Sequence, residues 1–430
     1  MDYSQSRRFI DNARQYGNVL GLDNMKELMA RLSHPEHGLS FIHVTGTNGK
    51  GSVIAYLYSV LTEAGYRIGR YTSPAIFSYR ERWEIDGKQI SREGFARCMT
   101  TVKQAVDEML QEGLPHPTVF EIETAAALVY FSQYGCSLVL WEVGMGGDLD
   151  ATNIVRTTKL AVFTPISLDH MEYLGSSVTE IARKKAGIIK PGCRVLTVMQ
   201  EEEVMKVIKE KCETVLGNAG STVLSISDTS GAVLTEDNLS GVSFRYRNET
   251  YHTPLAGLMQ FQNAVAALDA LEILQEIGYP TTVRQRKRGL SQTVWNGRFT
   301  VLGDKPLFII DGAHNPQAAR CLAQNMERYL SGKQIYFIIG MFKDKDYQEV
   351  LRITAPYAKK ILTIQTPDNA RALPAKKLAK AAEEVHSDVE AYEEIFSAIK
   401  RARQLAGEED AILVFGSLSF LGEVTALYKG

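Results

Sequence analysis

Short apolar runs alternate with helix-period stretches along most of the chain, the pattern of an α/β fold built on largely parallel sheets. Leu39–Thr45 predicts a first strand that runs into a glycine-rich turn. A helix is predicted from Ser52 to Ala64, with Val53, Leu57, Val60 and Leu61 on one face and Gly65 as its stop. Ser137–Val143 and Leu160–Ile166 predict buried parallel strands. Ser177–Ile189 predicts a helix whose opening, Ser177-Val178-Thr179-Glu180, spells a capping box. A second alternation begins after Asn296, with strands at Pro306–Ile310, Gln334–Met341, Lys360–Gln365 and Ala411–Phe415. Helices are expected at Pro316–Leu330 and in two stretches across Pro374–Ala406. Between the two alternations, residues 212–253 interleave Val, Phe and Tyr with polar residues, as a small antiparallel excursion would. The polar stretch Ser291–Phe299 marks the expected boundary, giving domains of residues 1–295 and 296–430.

Length and charge narrow the partners. A chain of 430 residues is too long for one ordinary core, in keeping with two domains. A net charge of −2 gives no electrostatic reason for nucleic acid or an anionic membrane as partner, so any anionic substrate must be held by a local cluster of cations. The five cysteines are scattered and form no CxxC pair, which suits a reducing compartment and argues against a disulfide framework or a thiolate zinc site. Met1–Tyr16 is polar, and no run approaches the roughly 20 apolar residues of a membrane span. A cytoplasmic monomer is expected. His34-Pro35-Glu36-His37 has two histidines three apart, but proline breaks a helical ligand face, so the segment reads as a loop. The basic run Arg284–Arg288 reads as a solvated helix end or part of an anionic-substrate site.

The chemistry concentrates in Thr45-Gly46-Thr47-Asn48-Gly49-Lys50-Gly51-Ser52, between a strand and a helix. Glycines let the backbone approach phosphate oxygens, helix-start N–H groups point at them, and Lys50 reaches the terminal phosphates. The spacing departs from G-x-x-x-x-G-K-[ST], because Gly51 stands between lysine and serine. The bland alternative is a glycine turn without a ligand. Glu142 ends an apolar strand before a second glycine-rich turn, where a carboxylate faces the crevice of a parallel sheet.

These motifs resemble those of the folylpolyglutamate and dihydrofolate synthases, relatives of the Mur ligases. The likeness runs in order through Tyr71-Thr72-Ser73-Pro74, Glu142–Asn153, Asp169-His170, Lys185–Lys190, Gln262-Asn263-Ala264, Gly297-Arg298 and Asp311–Pro316. It implies an N-terminal phosphate-loop domain like the Mur ligase central domain and a smaller Rossmann-like α/β domain after it. It implies ATP- and Mg2+-dependent joining of L-glutamate to a folate, with dihydropteroate as a second acceptor. It assigns ATP to Gly46, Thr47, Asn48, Gly49, Lys50, Gly51, Ser52, Asn263, Arg298, Asp311 and His314. It assigns magnesium to Ser73, Glu142, His170, the hydroxyl of Ser52 and Lys185 as its carbamate. The folate falls to Thr118, Phe120, Glu121, Leu149, Asp150 and Ala151. Catalysis rests on Lys50, Lys185, His170 and Arg298.

As plain residues, His170 is a loop histidine, Lys185 part of a basic face with Arg183 and Lys184, Phe120 a core ring, Asp150 a turn residue, and Asp311 and His314 helix caps before Pro316. The chain departs from its relatives at Lys184, Met259 and Asn296. Near the folate segment, Asp148 replaces an arginine common in bifunctional relatives. A Mur ligase of peptidoglycan synthesis would need a further domain before the phosphate loop, and only 45 residues precede Gly46. A ligase acting on another acyl acceptor and a nucleotide switch without ligase chemistry are the other readings. Lys50→Ala is expected to abolish ATP-dependent ligation in an ADP-release assay while leaving the circular dichroism spectrum unchanged, because it removes charge and no core.

Overall fold

A computed structural model describes residues 1–17, 19–217, 223–367 and 370–429. The chain forms two compact units, each assembled from separate stretches. The first comprises Met1–Ser73, Arg80–Gly231 and Asn263–Leu290; the second comprises Pro74–Tyr79, Ala232–Gln262 and Ser291–Gly430.

The first unit is built on an eight-stranded sheet. Its strands are β1 (Phe41–Thr45), β2 (Ile68–Tyr71), β3 (Trp83–Ile85), β4 (Lys88–Gln89), β5 (Leu138–Glu142), β6 (Thr158–Phe163), β7 (Arg194–Val198) and β8 (Leu224–Ser227). They lie in the order β4-β3-β2-β5-β1-β6-β7-β8, parallel from β2 to β8 and antiparallel at the β3–β4 edge. Every residue of β1 and β5 is buried, which is why both read as unbroken apolar runs. From central β1 the chain crosses to one side for β2 and β5, then to the other for β6, β7 and β8. The carboxyl ends of β5, β1 and β6 therefore meet at the point where the winding reverses, where open α/β sheets bind ligands.

The helix after β1 spans Lys50–Glu63 and ends at Gly65, in the left-handed conformation at φ 86°. Its apolar surface is wider than the single expected face: Ile54, Ala55, Tyr56 and Tyr58 are buried as well. One reason is a second layer. The Val283–Ser291 helix, which carries the basic run, brings Gly289 onto Val60, and Ser59 Oγ donates to Gly289 O at 2.6 Å. The predicted 177–189 helix divides, α-helical over Val178–Lys185 with its Ser177/Glu180 capping box, then 3₁₀ over Ala186–Ile188.

The second unit has two sheets. One is antiparallel, formed by β9 (Ala232–Asn238), β10 (Gly241–Tyr246) and β11 (Glu249–Thr253). The excursion expected over 212–253 is therefore real from residue 232; before it come the Glu202–Leu216 helix and β8, and residues 218–222 lie outside the described residues. The other sheet contains β12 (Thr300–Asp304), β13 (Leu307–Ile310), β14 (Ile335–Ile339), β15 (Lys360–Ile364), β16 (Val389–Tyr392) and β17 (Ala411–Phe415). Its order is β12-β13-β17-β14-β15-β16, with only β12 antiparallel. Phe337 and Phe415 meet edge to face at 5.1 Å in the core on one side of this sheet. The sequence reading missed β12 and β16, short edge strands that are mostly half-exposed and lack an apolar run.

A Cβ at Gly289 would lie 2.5 Å from Val60 Cα and 2.8 Å from Val60 N, inside helical backbone that cannot yield locally. Gly289→Ala is expected to destabilise the chain by about 1–3 kcal/mol, read as a lower thermal midpoint.

Candidate active site

Gly46 leaves β1 at φ 149°, and a Cβ there would stand 1.9 Å from Thr164 Oγ1 and 2.9 Å from Thr164 O, at the end of β6. No side chain fits without parting the two loops. The loop is laced to that neighbour: Thr47 N donates to Pro165 O at 2.8 Å, and Thr47 Oγ1 both donates to Ser167 O and accepts from Ser167 N at 3.0 Å. Gly49, at φ 87°, starts the helix and lies against buried Asn263, whose Oδ1 would be 2.7 Å from a Cβ. Thr47, Asn48, Lys50 and Gly51 follow this path, and Ser52 is buried in the first turn.

Two lysines converge here. Lys50 Nζ donates to Gly46 O at 3.2 Å and to Thr47 O at 3.4 Å, while Lys185 Nζ donates to the same Gly46 O at 2.9 Å. Lys185 ends its helix buried at 4% exposure, not on a solvated basic face. Its pKa falls to about 7, first through desolvation and then through the charge of Lys50, against a smaller pull from Asp169 and Asp150. Glu142, at the end of β5 and 5% exposed, accepts from Ser73 N at 3.0 Å, joining two of the expected metal residues. His170 sits beyond β6 in a left-handed conformation at φ 50°, its N–H bonded to Asp169 Oδ1 at 2.8 Å.

On the expected folate side, Thr118 and Glu121 form a reciprocal capping box at the start of the Val119–Gln133 helix, with Thr118 N donating to Glu121 Oε2 at 2.7 Å. Phe120 lies against Gly144, where a Cβ would be 2.5 Å from its Cζ, and 6.2 Å from the Tyr71 ring. Asp150 is buried and accepts from Met145 N at 2.7 Å and Thr152 N at 3.0 Å, so it holds the glycine-rich turn. Its carboxyl is pushed above the usual range by burial, against those hydrogen bonds. Thr152 Oγ1 gives its proton to Asp150 and so accepts from His43 Nε2, 3.0 Å away in the middle of β1. His43 is neutral, its pKa lowered to about 3 by desolvation and then by Lys190. Leu149 is 46% exposed, and Ala151 is buried in the following turn.

Sequence reasoning missed two neighbours of this segment. Gly21 N donates to Leu149 O at 3.0 Å, and Asn24 Nδ2 to Glu121 Oε2 at 3.3 Å, so the N-terminal stretch reaches both halves of the expected site. Arg82, paired with Glu123 at 2.5 Å, lies 5.9 Å from the Phe120 ring centre. Neither had a local signal, because the contacts span 97 and 128 positions for the first pair and 38 for the Arg82–Phe120 pair.

In the second unit, Asp311 follows β13 directly and accepts from Phe299 N and Ala313 N, both at 2.7 Å. Burial raises its pKa while Arg298 opposes the rise. Arg298 Nη1 donates to Gly297 O at 3.2 Å, and a Cβ at Gly312 would strike it at 2.2 Å. His314 Nδ1 donates to Gly312 O at 2.7 Å, which places its proton on that nitrogen. The cap before Pro316 is Asn315, whose Oδ1 accepts from Ala318 N at 2.9 Å. Helix capping therefore explains neither Asp311 nor His314.

A parallel sheet with a glycine-rich loop at its reversal point and a second α/β unit is the architecture expected of the Mur ligases. The sequence patterns of the family agree: the Mur ligase middle domain matches residues 88–271, and the Mur ligase, glutamate ligase domain matches residues 297–418. More narrowly, the chain belongs to the dihydrofolate synthase/folylpolyglutamate synthase family. It is 34% identical to the Bacillus subtilis dihydrofolate synthase/folylpolyglutamate synthase over 99% of both chains. The Mycobacterium tuberculosis folylpolyglutamate synthase complexed with ADP and AMPPCP superposes with a TM-score of 0.88 at 28% identity, covering 100% of this chain and 99% of that one. E. coli FolC in complex with DHPP and ADP gives 0.86 at 27% over 100% and 98%. A bifunctional folylpolyglutamate synthase/dihydrofolate synthase with Mn, AMPPNP and L-glutamate bound gives 0.82 at 26% over 100% and 98%. Among the described residues no helix is long and apolar enough to cross a membrane.

Between pH about 7 and 10.5 the unfolded chain holds more protons at residue 185 than the native one, so the native state gains as pH rises through that window. The unfolding free energy of the ligand-free chain, measured against Lys185→Met by denaturant titration, is expected to climb from pH 7 to pH 10.

Proposed function

We propose that this enzyme, an ATP-dependent ligase by family, extends reduced folates with L-glutamate using ATP and Mg2+, and takes dihydropteroate as a poorer acceptor. The observation that carries the reading is the pair of lysines on Gly46 O, beside Glu142 bound to Ser73 N. Lys50 brings a cationic head suited to a polyphosphate, and the buried Lys185 amine, with its pKa near 7, reaches the same carbonyl oxygen.

In this reading residues 1–295 bind ATP and folate, and 296–430 form the glutamate ligase domain. The Gly46–Ser52 loop and Asn263 cradle the triphosphate, with Lys50 offsetting charge on its terminal group. Arg298, Asp311 and His314, all in the second unit, are assigned to ATP as well. Ser52, Ser73, Glu142 and His170 would hold Mg2+, together with Lys185 as its carbamate. The donors fit a hard cation: Glu142 and the serine hydroxyls are oxygen ligands, and a lysine with pKa about 7 has the neutral amine that adds to carbon dioxide, losing a proton to leave an anionic carbamate oxygen. Bound there, the ion would neutralise charge on the transferred phosphoryl group.

The γ-carboxylate of the folate attacks the terminal phosphorus of ATP, giving an acyl phosphate and ADP. The amine of glutamate then attacks the acyl carbon, phosphate leaves, and the nitrogen loses a proton. No serine or cysteine nucleophile is required, since positioning and charge neutralisation supply the catalysis. Thr118, Phe120, Glu121, Leu149, Asp150 and Ala151 form the acceptor side. Phe120 offers a ring for stacking, while Thr118, Glu121 and Asp150 act mainly by holding the helix start and turn in place. Asp148, whose Oδ1 accepts from Leu149 N at 2.9 Å, puts a carboxylate where bifunctional relatives carry arginine, which disfavours the short benzoate of dihydropteroate.

ADP release is to be followed with glutamate and either dihydropteroate or a reduced monoglutamyl folate. The expected kcat/KM favours the folate by about tenfold, a difference of about 1.4 kcal/mol. Dihydropteroate as sole working acceptor would overturn the preference, and turnover with neither would overturn the acceptor class. Lys185→Ala is expected to lose about 100-fold or more in kcat, in the range seen for lost metal support, with partial recovery in small carboxylic acids. Full activity without rescue would sink the carbamate.

A further inference from the structure

The segment from His34 to Gly38 carries three donor groups that the ligase reaction does not use. Pro35 interrupts α-helical spacing, so no α-helical ligand face forms here. Instead, Pro35 opens a 3₁₀ turn over Pro35–Gly38 with His34 as its N-cap. With three residues per turn, side chains three apart eclipse one another. The His34 and His37 rings accordingly lie parallel with centroids 4.6 Å apart.

Glu36 serves both rings. Its Oε1 is 2.9 Å from His34 Nδ1 and 3.5 Å from His37 Nε2, and the three donor atoms all lie within 4.8 Å of one another. Metal–ligand bonds near 2.1 Å in a tetrahedral zinc site imply a ligand–ligand edge of about 3.4 Å, so the two measured separations bracket that edge. A second observation is independent of this convergence. Glu36 is only 4% exposed, and its Oε2 is buried with no hydrogen-bond partner among the described residues. The two imidazoles are the only basic side chains within pairing distance of it among those residues. A buried carboxylate with one bare oxygen is short of positive charge.

We infer that His34, Glu36 and His37 bind one divalent transition-metal ion of the zinc class, with solvent completing a tetrahedron. Two imidazoles and a carboxylate select zinc over magnesium or calcium, which prefer all-oxygen sets. Parallel rings cannot both point their lone pairs at one ion, so one ring must turn about its Cβ–Cγ bond. The histidine side chains are 45% and 63% exposed, which leaves them room to do so. The turn packs against the Val119–Gln133 helix and leads into β1, so a bound ion would clip the start of the central strand.

The full chain, stripped with EDTA and desalted, is to be titrated with Zn2+ against a chromophoric chelator and, separately, with Co2+. Wild type is compared with His34→Asn and His37→Asn, each checked for folding by circular dichroism. The expected result is one Zn2+ site that either substitution weakens at least tenfold, and a tetrahedral Co2+ visible spectrum lost in both variants. Zn2+ should raise the thermal midpoint of wild type and not of His37→Asn, whose Mg2+-supported ligation should match wild type. Equal Zn2+ affinity in all three chains, or no tetrahedral Co2+ band in wild type, overturns the assignment.

Discussion

The carbonyl of Gly46 is the acceptor on which the nucleotide end of the first unit depends. It takes hydrogen bonds from Lys50, four residues on, and from Lys185, which arrives on a helix 139 positions away. Backbone geometry makes this possible. Gly46 has no Cβ, so the loop lies against Thr164, and the lysine at the helix start folds back over its own turn. Burying the Lys185 amine beside the charge of Lys50 is costly, and its pKa is lowered to about 7.

The rest of the first unit keeps that carbonyl in place. β1 lies between β5 and β6, so its loop is flanked by the Glu142 turn on one side and the Thr164–Ser167 loop on the other. Thr45 Oγ1 donates to Gly146 O at 2.9 Å, tying the phosphate loop to the turn that Asp150 organises. Asp150 is in turn held by Thr152 and, through it, by His43 in the centre of β1. A neutral buried histidine thus links the strand to the turn beside Phe120, and the buried polar groups are mostly spent on each other. In the second unit the same economy holds Asp311 between two backbone N–H groups beside Arg298.

Several residues that read ambiguously in sequence are resolved by their neighbours. Asn315, not Asp311 or His314, caps the Pro316–Tyr329 helix, which frees those two from the plain structural reading. Thr118, Glu121 and Asp150 make hydrogen bonds within their own helix start and turn. The histidines at 34 and 37 converge because the turn there has a period of three, which a search for α-helical spacing passes over.

Among the strands buried at every residue, β1, β5, β13 and β17 were legible to within two residues because each is a continuous apolar run, whereas β2 was not, since Gly69 and Arg70 interrupt it. The glycine-rich loop between β1 and its helix was legible too, because its glycine spacing, lysine and flanking strand and helix are all local. Edge strands β12 and β16 were not legible, because exposure on one side removes the apolar run. Tertiary structure alone decided that Lys185 is buried against Gly46 O, and that Gly21 meets Leu149. It also decided that Gly289 seals the outer face of the phosphate-loop helix. Each of these pairs residues more than 120 positions apart, and periodicity carries no information about which distant segment will share a face.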